Sequence, residues 1–415
     1  MSDKLKPARI PKLRFSEFQQ SGEWTTKKLG SLVSISTEKV GNNTCVPMSI
    51  TSGVGLVSQE DKFGRVIAGD SYKNYLLLKP FDFAYNKSAT KEYPEGFLTL
   101  YTGDKLAAVP NSIFSCFRVK ETSPYPPYLN YLFSGNLHGQ WLRNFIQVGA
   151  RAHGSLSIND GDLLALPVPL PSGQSSLKEQ QKIAECMSSL DELIVAQARK
   201  IDALKNHKKG LMQQLFPREG ETQPRLRFSE FEGGKVWTVG KLGNIAANLD
   251  NRRVPITSGD REAGAIPYYG ASGVVDYVKD FIFSEDLLCV SEDGANLLAR
   301  TYPIAFPISG KTWVNNHAHV LKFERPCTQK FIEIYLNSIK LDDFITGMAQ
   351  PKLNKAMLDS IPIPHPDVPE QQRVADCITA LDKLITAELE GLGDLKTHKQ
   401  GLMQQLFPNL DSGES

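Results

Sequence analysis

The chain has 415 residues, of which 41% are hydrophobic and 22% charged, and its formal net charge at pH 7 is +1. This length predicts two or three domains with substantial cores, and the near-neutral charge does not by itself indicate a nucleic-acid-binding protein. The sequence has no long apolar run and no signal-peptide pattern, so we expect a cytoplasmic protein without membrane contact. Because the six cysteines lack any C-x-x-C spacing, we expect no metal site and no disulfide.

An entry motif near the start of the chain returns in its second half. The string Leu-Arg-Phe-Ser-Glu-Phe occupies 13–18 and again 226–231, an offset of 213 (226 − 13). Each copy is followed by a tryptophan and then by Lys-Leu-Gly, at Trp24 and 28–30 and at Trp237 and 241–243. Such repetition predicts two structurally related halves.

Each entry motif leads into a block that we predict to be α+β. The first block, 32–170, contains a predicted helix over 127–147. The second block, 245–364, repeats the order, with a predicted strand over 317–323 and a helix over 329–345. The helices described next recur at an offset of 191, so the second block is shorter by about 22 positions (213 − 191), a difference that we expect in loops.

A long stretch follows each block and is nearly the same in both places. Residues 179–217 return at 370–408 with 22 identities. Apolar residues step by four and three through both copies, which predicts a coiled-coil seam about 60 Å long. The seam consists of Ile183, Met187, Leu190, Ile194, Ile201, Leu204, Leu211, Leu215, Val374, Ile378, Leu381, Ile385, Leu392, Leu395, Leu402 and Leu406, with polar Gln197, Lys208, Glu388 and Lys399 in the remaining places.

We expect the two helices to form an intramolecular antiparallel coiled coil that relates the halves by a pseudo-two-fold axis. The alternatives are that each helix packs only on its own block, or that it pairs with a second copy of the chain. The predicted organisation is a first domain (1–170), a spacer helix (171–217), a second domain (218–365), and a second spacer helix with a tail (366–415).

The ends of both helices carry recognisable signals. Capping boxes are predicted at Ser176-x-x-Glu179 and Asp367-x-x-Glu370. Pro217 and Pro408 should end the helices, because the residue before a proline is disfavoured in the α region. Gly391 and Gly393 weaken the second helix, so a kink there stays open.

Two motifs suggest catalysis but lack the context that it requires. Residues 305–312 match a loose phosphate-binding loop, yet Pro307 interrupts it and strand-like sequence follows where a helix should start. Tyr125-Pro126-Pro127-Tyr128 resembles the Pro-Pro-aromatic loop of adenine methyltransferases, but its first residue should be Asp, Asn or Ser. His207 and His398 share one repeat position and fit a solvated helix face. We therefore predict a chain without catalytic residues of its own.

Basic and amide side chains within the blocks remain as candidates for binding DNA. Arginine pairs with guanine and asparagine with adenine in the major groove, while lysine and further arginines contact phosphates. The candidates are Lys87, Arg151, His153, Arg252, Arg253, Asn296, Arg300, Lys311, Asn315, Asn316 and His317.

Two dissimilar blocks alternating with two near-identical helices resemble the specificity subunit of type I restriction–modification enzymes. The resemblance covers nearly the whole chain and rests on the set of motifs together. These are the Glu-Gln-Gln helix starts at 179–181 and 370–372, the Gly-Leu-Met-Gln-Gln-Leu-Phe-Pro ends at 210–217 and 401–408, the entry motifs, and the Pro-rich exits at 166–169 and 361–364.

The resemblance implies a division of labour. Each block would be a target-recognition domain that reads one half of a split, asymmetric site on double-stranded DNA, the first block taking the 5′ half. The helices would fix the unread gap and dock two methyltransferase subunits, which restriction and translocase subunits join. It implies no cofactor on this chain: S-adenosylmethionine would bind the methyltransferase subunits, and ATP with magnesium the restriction subunits.

Two other classes of function stay open. A self-sufficient DNA methyltransferase or methyltransferase–nuclease would transfer methyl groups without any partner. A pure protein scaffold would have no DNA role, so that charge reversal of Arg252, Arg253 and Lys311 would leave DNA binding by the assembly unchanged.

Overall fold

The structure is a computed structural model that describes residues 10–51, 53–121, 123–146, 156–218, 220–347 and 349–408. The chain divides into two compact units, with boundaries between Ala196 and Gln197 and between Gly391 and Leu392. Each unit therefore contains one block and parts of both long helices. Within the described ranges, no helix is long and apolar enough to span a membrane.

In its described part, the first unit has two four-stranded sheets and a two-stranded ribbon. The sheets have the orders β2-β9-β6-β7 and β4-β3-β8-β5, and the ribbon pairs β1 with β10. The strands are β1 Thr25–Lys28, β2 Val33–Ser36, β3 Val46–Thr51, β4 Gly55–Ser58, β5 Leu76–Leu78, β6 Phe83–Asn86, β7 Phe97–Leu100, β8 Ala107–Val109, β9 Phe114–Val119 and β10 Pro167–Leu170. The helices are α1 Leu29–Leu32, α2 Gln59–Phe63, α3 Pro126–Ser134, α4 Leu137–Leu142, α5 Asp160–Leu164 and the first half of α6 Ser176–Leu215.

The described part of the second unit repeats this topology strand for strand. Its sheets have the orders β12-β19-β16-β17 and β14-β13-β18-β15, and its ribbon pairs β11 with β20. The strands are β11 Thr238–Lys241, β12 Ala247–Asn248, β13 Ala263–Gly270, β14 Gly273–Val278, β15 Phe283–Ser284, β16 Leu287–Ser291, β17 Ala305–Ile308, β18 Lys311–Val314, β19 Ala318–Lys322 and β20 Pro362–His365. The helices are α7 Leu242–Ile245, α8 Asn296–Ala299, α9 Pro326–Ser338, α10 Lys355–Ser360, the second half of α6, and α11 Val368–Leu406 as far as Gly391.

The length difference between the blocks falls mainly in one connection. Residues 59–75, which include α2, join β4 to β5, whereas only 279–282 join β14 to β15. The first connection spans 17 positions and the second 4, and their difference of 13 (17 − 4) is more than half of the difference between the blocks. The insertion therefore lies between strands, as we expected, and leaves the shared sheet topology intact.

Two predicted helices are shorter than the sequence pattern indicates. The helix expected over 127–147 breaks between α3 and α4, because Asn136 adopts a left-handed conformation (φ 63°). The helix expected over 329–345 ends at Ser338, because Ile339 is extended and a separate 3₁₀ turn follows. Both expectations of one continuous helix are wrong, whereas the strand expected over 317–323 is present as β19.

The two long helices are continuous, with 40 residues in α6 and 39 in α11. Neither Gly391 nor Gly393 interrupts α11. All sixteen predicted seam residues are buried or half-buried.

The ion pairs between the helices run in opposite chain directions. In the first unit, Asp191 of α6 pairs with Lys399 near the end of α11. In the second unit, Lys208 near the end of α6 pairs with Asp382. Each pair joins an early position of one helix to a late position of the other, so α6 and α11 are antiparallel. Since 191 + 191 = 382 and 208 + 191 = 399, both pairs use the same repeat positions.

The predicted capping boxes are replaced by contacts with the entry motifs. Arg14 donates two hydrogen bonds to Glu179, and Trp24 Nε1 donates a third at 3.2 Å. Arg227 binds Glu370 in the same bidentate way. The carboxylates therefore fix the entry motif to the first turn of the following helix instead of turning back on their own helix ends.

Glycine of the Lys-Leu-Gly motif is required by close packing. An added Cβ at Gly243 would lie 2.9 Å from Asp359 Cβ on α10, and at Gly30 it would lie 3.1 Å from Leu164 Cβ on α5. The motif thus allows the short helices α1 and α7 to approach the end of each block.

A candidate nucleic-acid interface

Three loops of the second unit meet beside the ends of its central strands. They are 292–296 after β16, 315–317 between β18 and β19, and 349–353 before α10. Glu292 N donates to His317 O at 2.9 Å, and Leu353 N donates to Glu292 O at 2.8 Å. Gly294 N donates to Pro351 O at 3.1 Å. These backbone bonds hold the three loops together as one surface, which we call the loop surface.

Polar side chains and open backbone characterise the loop surface. Asn316, His317, Gln350 and Lys352 are exposed, and so are Gly294 and Ala295. An amide, an imidazole and an ammonium group side by side can hydrogen-bond to base edges and to phosphates. Loops of this kind on a rigid sheet are the usual place for binding residues.

A buried ionic cluster lies beneath the loop surface. Arg253 Nη1 donates to Glu292 Oε2 at 2.6 Å, and His319 Nδ1 lies 2.6 Å from Asp250 Oδ2. The other imidazole nitrogen lies 2.7 Å from Leu353 O. Lys352 Nζ, on the surface, lies 3.2 Å from Glu292 Oε1. The cluster therefore links four chain segments that are far apart in sequence.

The charges of this cluster are matched in a low-dielectric setting. Burial alone would raise the pKa of Asp250, but the hydrogen bonds from His319 and from Val320 N–H, together with the nearby Arg253, hold that pKa below its ordinary value. A buried carboxylate that is paired and hydrogen-bonded is stable in its charged form. The cluster is therefore a fixed support for the loops.

Asp250, Glu292 and His319 also have the composition of a metal site. Their ligand atoms lie within 4.8 Å of one another. The guanidinium of Arg253, however, lies 2.6 Å from Glu292 and 3.5 Å from Asp250 and supplies the cation there. The two ring nitrogens of His319 are already engaged, one by Asp250 Oδ2 and the other by Leu353 O. These residues fit an ionic network better than a metal ion.

Four of the predicted DNA-binding residues are committed to internal contacts. Arg253 belongs to the buried cluster, and Asn315 Oδ1 accepts from His317 N at 2.8 Å. Asn296 Oδ1 accepts from Thr301 N and Tyr302 N, which closes the loop after α8. We assign these residues to the support of the loops, not to their outer face.

Arg300 is the fourth, and it caps the end of α9. Its guanidinium donates to Leu336 O at 3.2 Å and to Ile339 O at 2.9 Å. Burial lowers the pKa of Arg300 from its ordinary value. A cation at a helix C-terminus satisfies carbonyls that have no partner within the helix, so this side chain too supports the fold.

Two other candidates lie away from the loop surface. Lys311 opens β18, whereas Asn315 to His317 follow the other end of that strand. The Nζ atom of Lys311 lies 4.8 Å from the centre of the Phe281 ring. Arg252 lies over Phe283 and pairs with Glu285 at 2.8 Å. Of the predicted residues in this unit, the structure brings only Asn316 and His317 to the exposed loop surface.

The first unit has a related arrangement around Lys87. Lys87 N donates to Ile113 O and Leu156 N donates to Lys87 O, both at 2.8 Å. These two bonds correspond to the two backbone bonds that Glu292 makes in the second unit. Lys87 Nζ lies 3.3 Å from Asp160, which also accepts from Ser115 Oγ. The candidates Arg151 and His153 lie outside the described residues.

Sequence reasoning missed the support of the loop surface. Asp250, Glu292 and Lys352 were not candidates, although they fix the loops that carry Asn316 and His317. Their separations in sequence, 42 (292 − 250) and 60 (352 − 292), follow no motif. Tertiary contacts bring them together: the pairing of β16 with β19 sets Val290 opposite His319, Val320 N–H donates to Asp250, and Leu353 N–H donates to Glu292 O.

Comparison with known proteins agrees with this fold. Residues 234–393 match the family model described as type I restriction modification DNA specificity domain. A type I restriction enzyme specificity subunit of Haemophilus influenzae is 36% identical over 37% of this chain and 39% of its own length. The MjaX specificity subunit of Methanocaldococcus jannaschii is 26% identical over 68% of this chain and 67% of its own length.

Solved structures show the same fold at low sequence identity. The S subunit of a type I restriction–modification system from M. genitalium covers 97% of this chain and is itself fully covered, with a TM-score of 0.56 and 16% identity. A chain from a study of the assembly and conformational transition of the type I system covers 93%, is itself 98% covered, and has a TM-score of 0.57 and 15% identity.

Within residues 234–393, the chain matches a type I restriction modification DNA specificity domain. The chain is similar to the specificity subunits of type I restriction–modification systems, and the likeness to the solved S subunits extends over the fold of the chain. The sequence similarity spans about two fifths of the Haemophilus relative's length.

Proposed function

We propose that this chain is the non-catalytic DNA-specificity subunit of a type I restriction–modification complex and that each unit reads one half of a bipartite, asymmetric site. The observation that carries this proposal is the loop surface. It presents Asn316 and His317 on a support fixed by buried charges. The repeated strand topology supplies a second unit of the same architecture for the other half-site.

The long helices support a spacer role. They are continuous over 40 and 39 residues, or about 60 Å each. Ion pairs at equivalent repeat positions fix their antiparallel register. We propose that this rod sets the length of the unread gap between the two half-sites. We further propose that the helices and the ends of the blocks dock two methyltransferase subunits.

The charge of the chain supports a shared DNA interface. DNA affinity depends mainly on cations placed against phosphates, and this chain has a net charge of only +1. The methyltransferase subunits would therefore complete the affinity and carry S-adenosylmethionine. Restriction and translocase subunits, with ATP and magnesium, would join that core.

Mapping of adenine methylation tests the proposal directly. Long-read sequencing of the source cell, with and without this gene, should show loss of one split motif on deletion. Reintroducing the gene should restore that motif. If the pattern does not change on deletion, the chain is co-produced with the modification subunits in a methylation-free host. Absence of a bipartite methylated motif in that host would overturn the proposal.

A biochemical control separates this proposal from a self-sufficient methyltransferase. The purified chain is incubated with labelled S-adenosylmethionine and DNA, without and with the modification subunits. Label should enter DNA only when those subunits are present. Methyl transfer by the chain alone would contradict the assignment as a recognition subunit.

A further inference from the structure

His317 is an exposed polar residue of the loop surface that is held at three points. Its backbone N–H is accepted by Asn315 Oδ1 at 2.8 Å, and its carbonyl accepts from Glu292 N at 2.9 Å. Its ring nitrogen Nδ1 lies 2.7 Å from Asp293 Oδ2, while about half of the side chain is exposed. The backbone and one edge of the ring are thus fixed, and the rest of the ring faces outward.

The partner of Nδ1 determines which ring nitrogen carries the hydrogen. An ionised carboxylate has no hydrogen to donate, so Nδ1 must be the donor in this bond. In the neutral ring the other nitrogen, Nε2, then has a free lone pair and acts as an acceptor. A second residue that fixes an imidazole tautomer in this way is a common device at sites where histidine has a defined role.

We propose that Asp293 sets His317 to present an acceptor, and that His317 thereby selects a base carrying an amino group in the second half-site. In the major groove, adenine and cytosine offer exocyclic N–H donors, whereas guanine and thymine offer acceptors at the corresponding positions. His317 would accept a hydrogen bond from adenine N6 or cytosine N4 on the strand that it contacts. The inference rests on the proposed function and adds the chemical class of base that this residue reads.

The charged groups near the ring are consistent with this role. Glu292 is neutralised by Arg253 and Lys352. Asp293 is the acidic group in direct contact with His317 in the described structure. It is also the first residue after Glu292, whose carboxylate is held by the buried cluster, so the position of Asp293 is fixed from below. Asp293 is therefore a positioning residue that acts through His317.

The test is a change in base preference at one position of the methylated motif. The chain is co-produced with its modification subunits in a methylation-free host, and the motif is mapped by long reads. In the unaltered complex, one position of the second half-site should be restricted in orientation, so that its amino-bearing base, adenine or cytosine, always lies on the same strand. A single mismatched pair typically costs about 1–3 kcal/mol, so the restriction should amount to at least about five-fold.

Three variants and one control decide the role of each residue. His317→Ala and Asp293→Ala should each relax the same position to less than about two-fold preference. In the double variant, Asp293→Ala should add nothing to His317→Ala, because residues acting through one another are not additive. Asp276→Ala removes another half-exposed carboxylate of an ion pair in this unit, with Arg261 at 3.0 Å, and should leave the motif unchanged.

Failure of this inference is distinguishable from failure of the proposed function. A complex that methylates no bipartite motif would refute the proposed function. A bipartite motif that stays fully restricted in His317→Ala and Asp293→Ala would refute the present inference alone. Additive effects in the double variant would equally overturn it, and so would a relaxed position at which the unaltered complex already accepts the amino-bearing base on either strand.

Discussion

Arg14 donates two hydrogen bonds to the carboxylate of Glu179, each 2.7 Å long, and Arg227 and Glu370 form the same pair at 2.9 and 2.6 Å. All four side chains are largely buried. The two pairs explain why the entry motif and the helix start recur together in the sequence. Each pair joins the beginning of a block to the helix that follows that block.

Replacing Glu179 by Gln should destabilise the first unit by about 3 kcal/mol or more, because Arg14 would be left buried without its counter-charge. Urea unfolding measures the effect. Glu17→Gln is the matched control, since Glu17 and Lys182 form a half-exposed pair at 3.8 Å and should contribute less than about 0.5 kcal/mol. Equal losses in the two variants would contradict the role of the Arg14–Glu179 pair.

Exchanging the charges of Lys208 and Asp382 tests the register of the long helices. Lys208→Asp and Asp382→Lys should each weaken the pairing of α6 with α11, and the double variant should recover part of the loss. Both side chains are partly exposed, so the coupling energy should be about 0.5–1 kcal/mol. A double-mutant cycle from chemical unfolding gives this value. A double variant no more stable than its weaker parent would argue against this register.

Insertion of one helical turn tests the spacer. Four residues added after Ala196 in α6, together with four after its repeat equivalent Ala387 in α11, should lengthen the rod by about 6 Å. The unread gap should then grow by about two base pairs, and methylation mapping would show this with both half-sites unchanged.

The single insertion is the control for the spacer experiment. Four residues after Ala196 alone displace α6 against an unaltered α11, so the ion pairs on the two sides of the insertion cannot both form. We expect loss of methylation from this variant. A changed half-site in either insertion variant would contradict the separation of reading units from spacer.

Glu292→Gln should impair the second half-site selectively. The amide cannot balance Arg253 and Lys352, so the loops that carry Asn316 and His317 would lose part of their support. We expect a relaxed second half-site and an unchanged first half-site in methylation mapping. Glu370→Gln is the matched control, because it removes another buried, arginine-paired carboxylate of the same unit at a distance in sequence from the loop surface. Equal relaxation in both variants would indicate general destabilisation instead.

Acid should weaken the second unit through Asp250. Its pKa is lower in the folded chain than its ordinary value, so its stabilising contribution is complete above the unfolded-state pKa of about 3.9 and is lost as the pH falls through the lower folded value. Unfolding measured between pH 6 and 2 should therefore show a smaller acid-induced loss in Asp250→Asn than in the unaltered chain. Parallel pH profiles would exclude this contribution.

Regular elements were predictable where the pattern is local. The four–three spacing of apolar residues predicted both long helices and a coiled-coil seam, because a helix face is set by residues three and four apart. The repetition of that seam within one chain favoured the antiparallel pairing. The breaks after Ser134 and Ser338 were not predicted. The first follows the left-handed conformation of Asn136, and the second coincides with the contact of Arg300 with Leu336 O and Ile339 O. Arg300 is separated from those two carbonyls by 36 and 39 positions in sequence, so no local pattern reveals the contact.

The candidate site was only partly predictable for the same reason. Asn316 and His317 were candidates, and the structure places them on the exposed loop surface. Asn296 and Asn315 have the same residue type as Asn316, and arginine can also bind bases, yet Asn296, Asn315 and Arg253 are held within internal hydrogen bonds. Residue type indicates which contacts a side chain can form, whereas the approach of other chain segments determines which contacts it does form.

The sequence by itself determined that the chain is a repeat of two α+β blocks and two pairing helices. Repetition and helical periodicity can both be recognised in the sequence without knowledge of contacts between distant residues. Only the tertiary structure decided that Glu179 and Glu370 bind entry-motif arginines, and that Asp250, Arg253, Glu292 and His319 meet beneath one surface. Those partners lie far apart in sequence and are brought together by the packing of sheets and helices. A buried charge is stable only where such a partner is in contact with it.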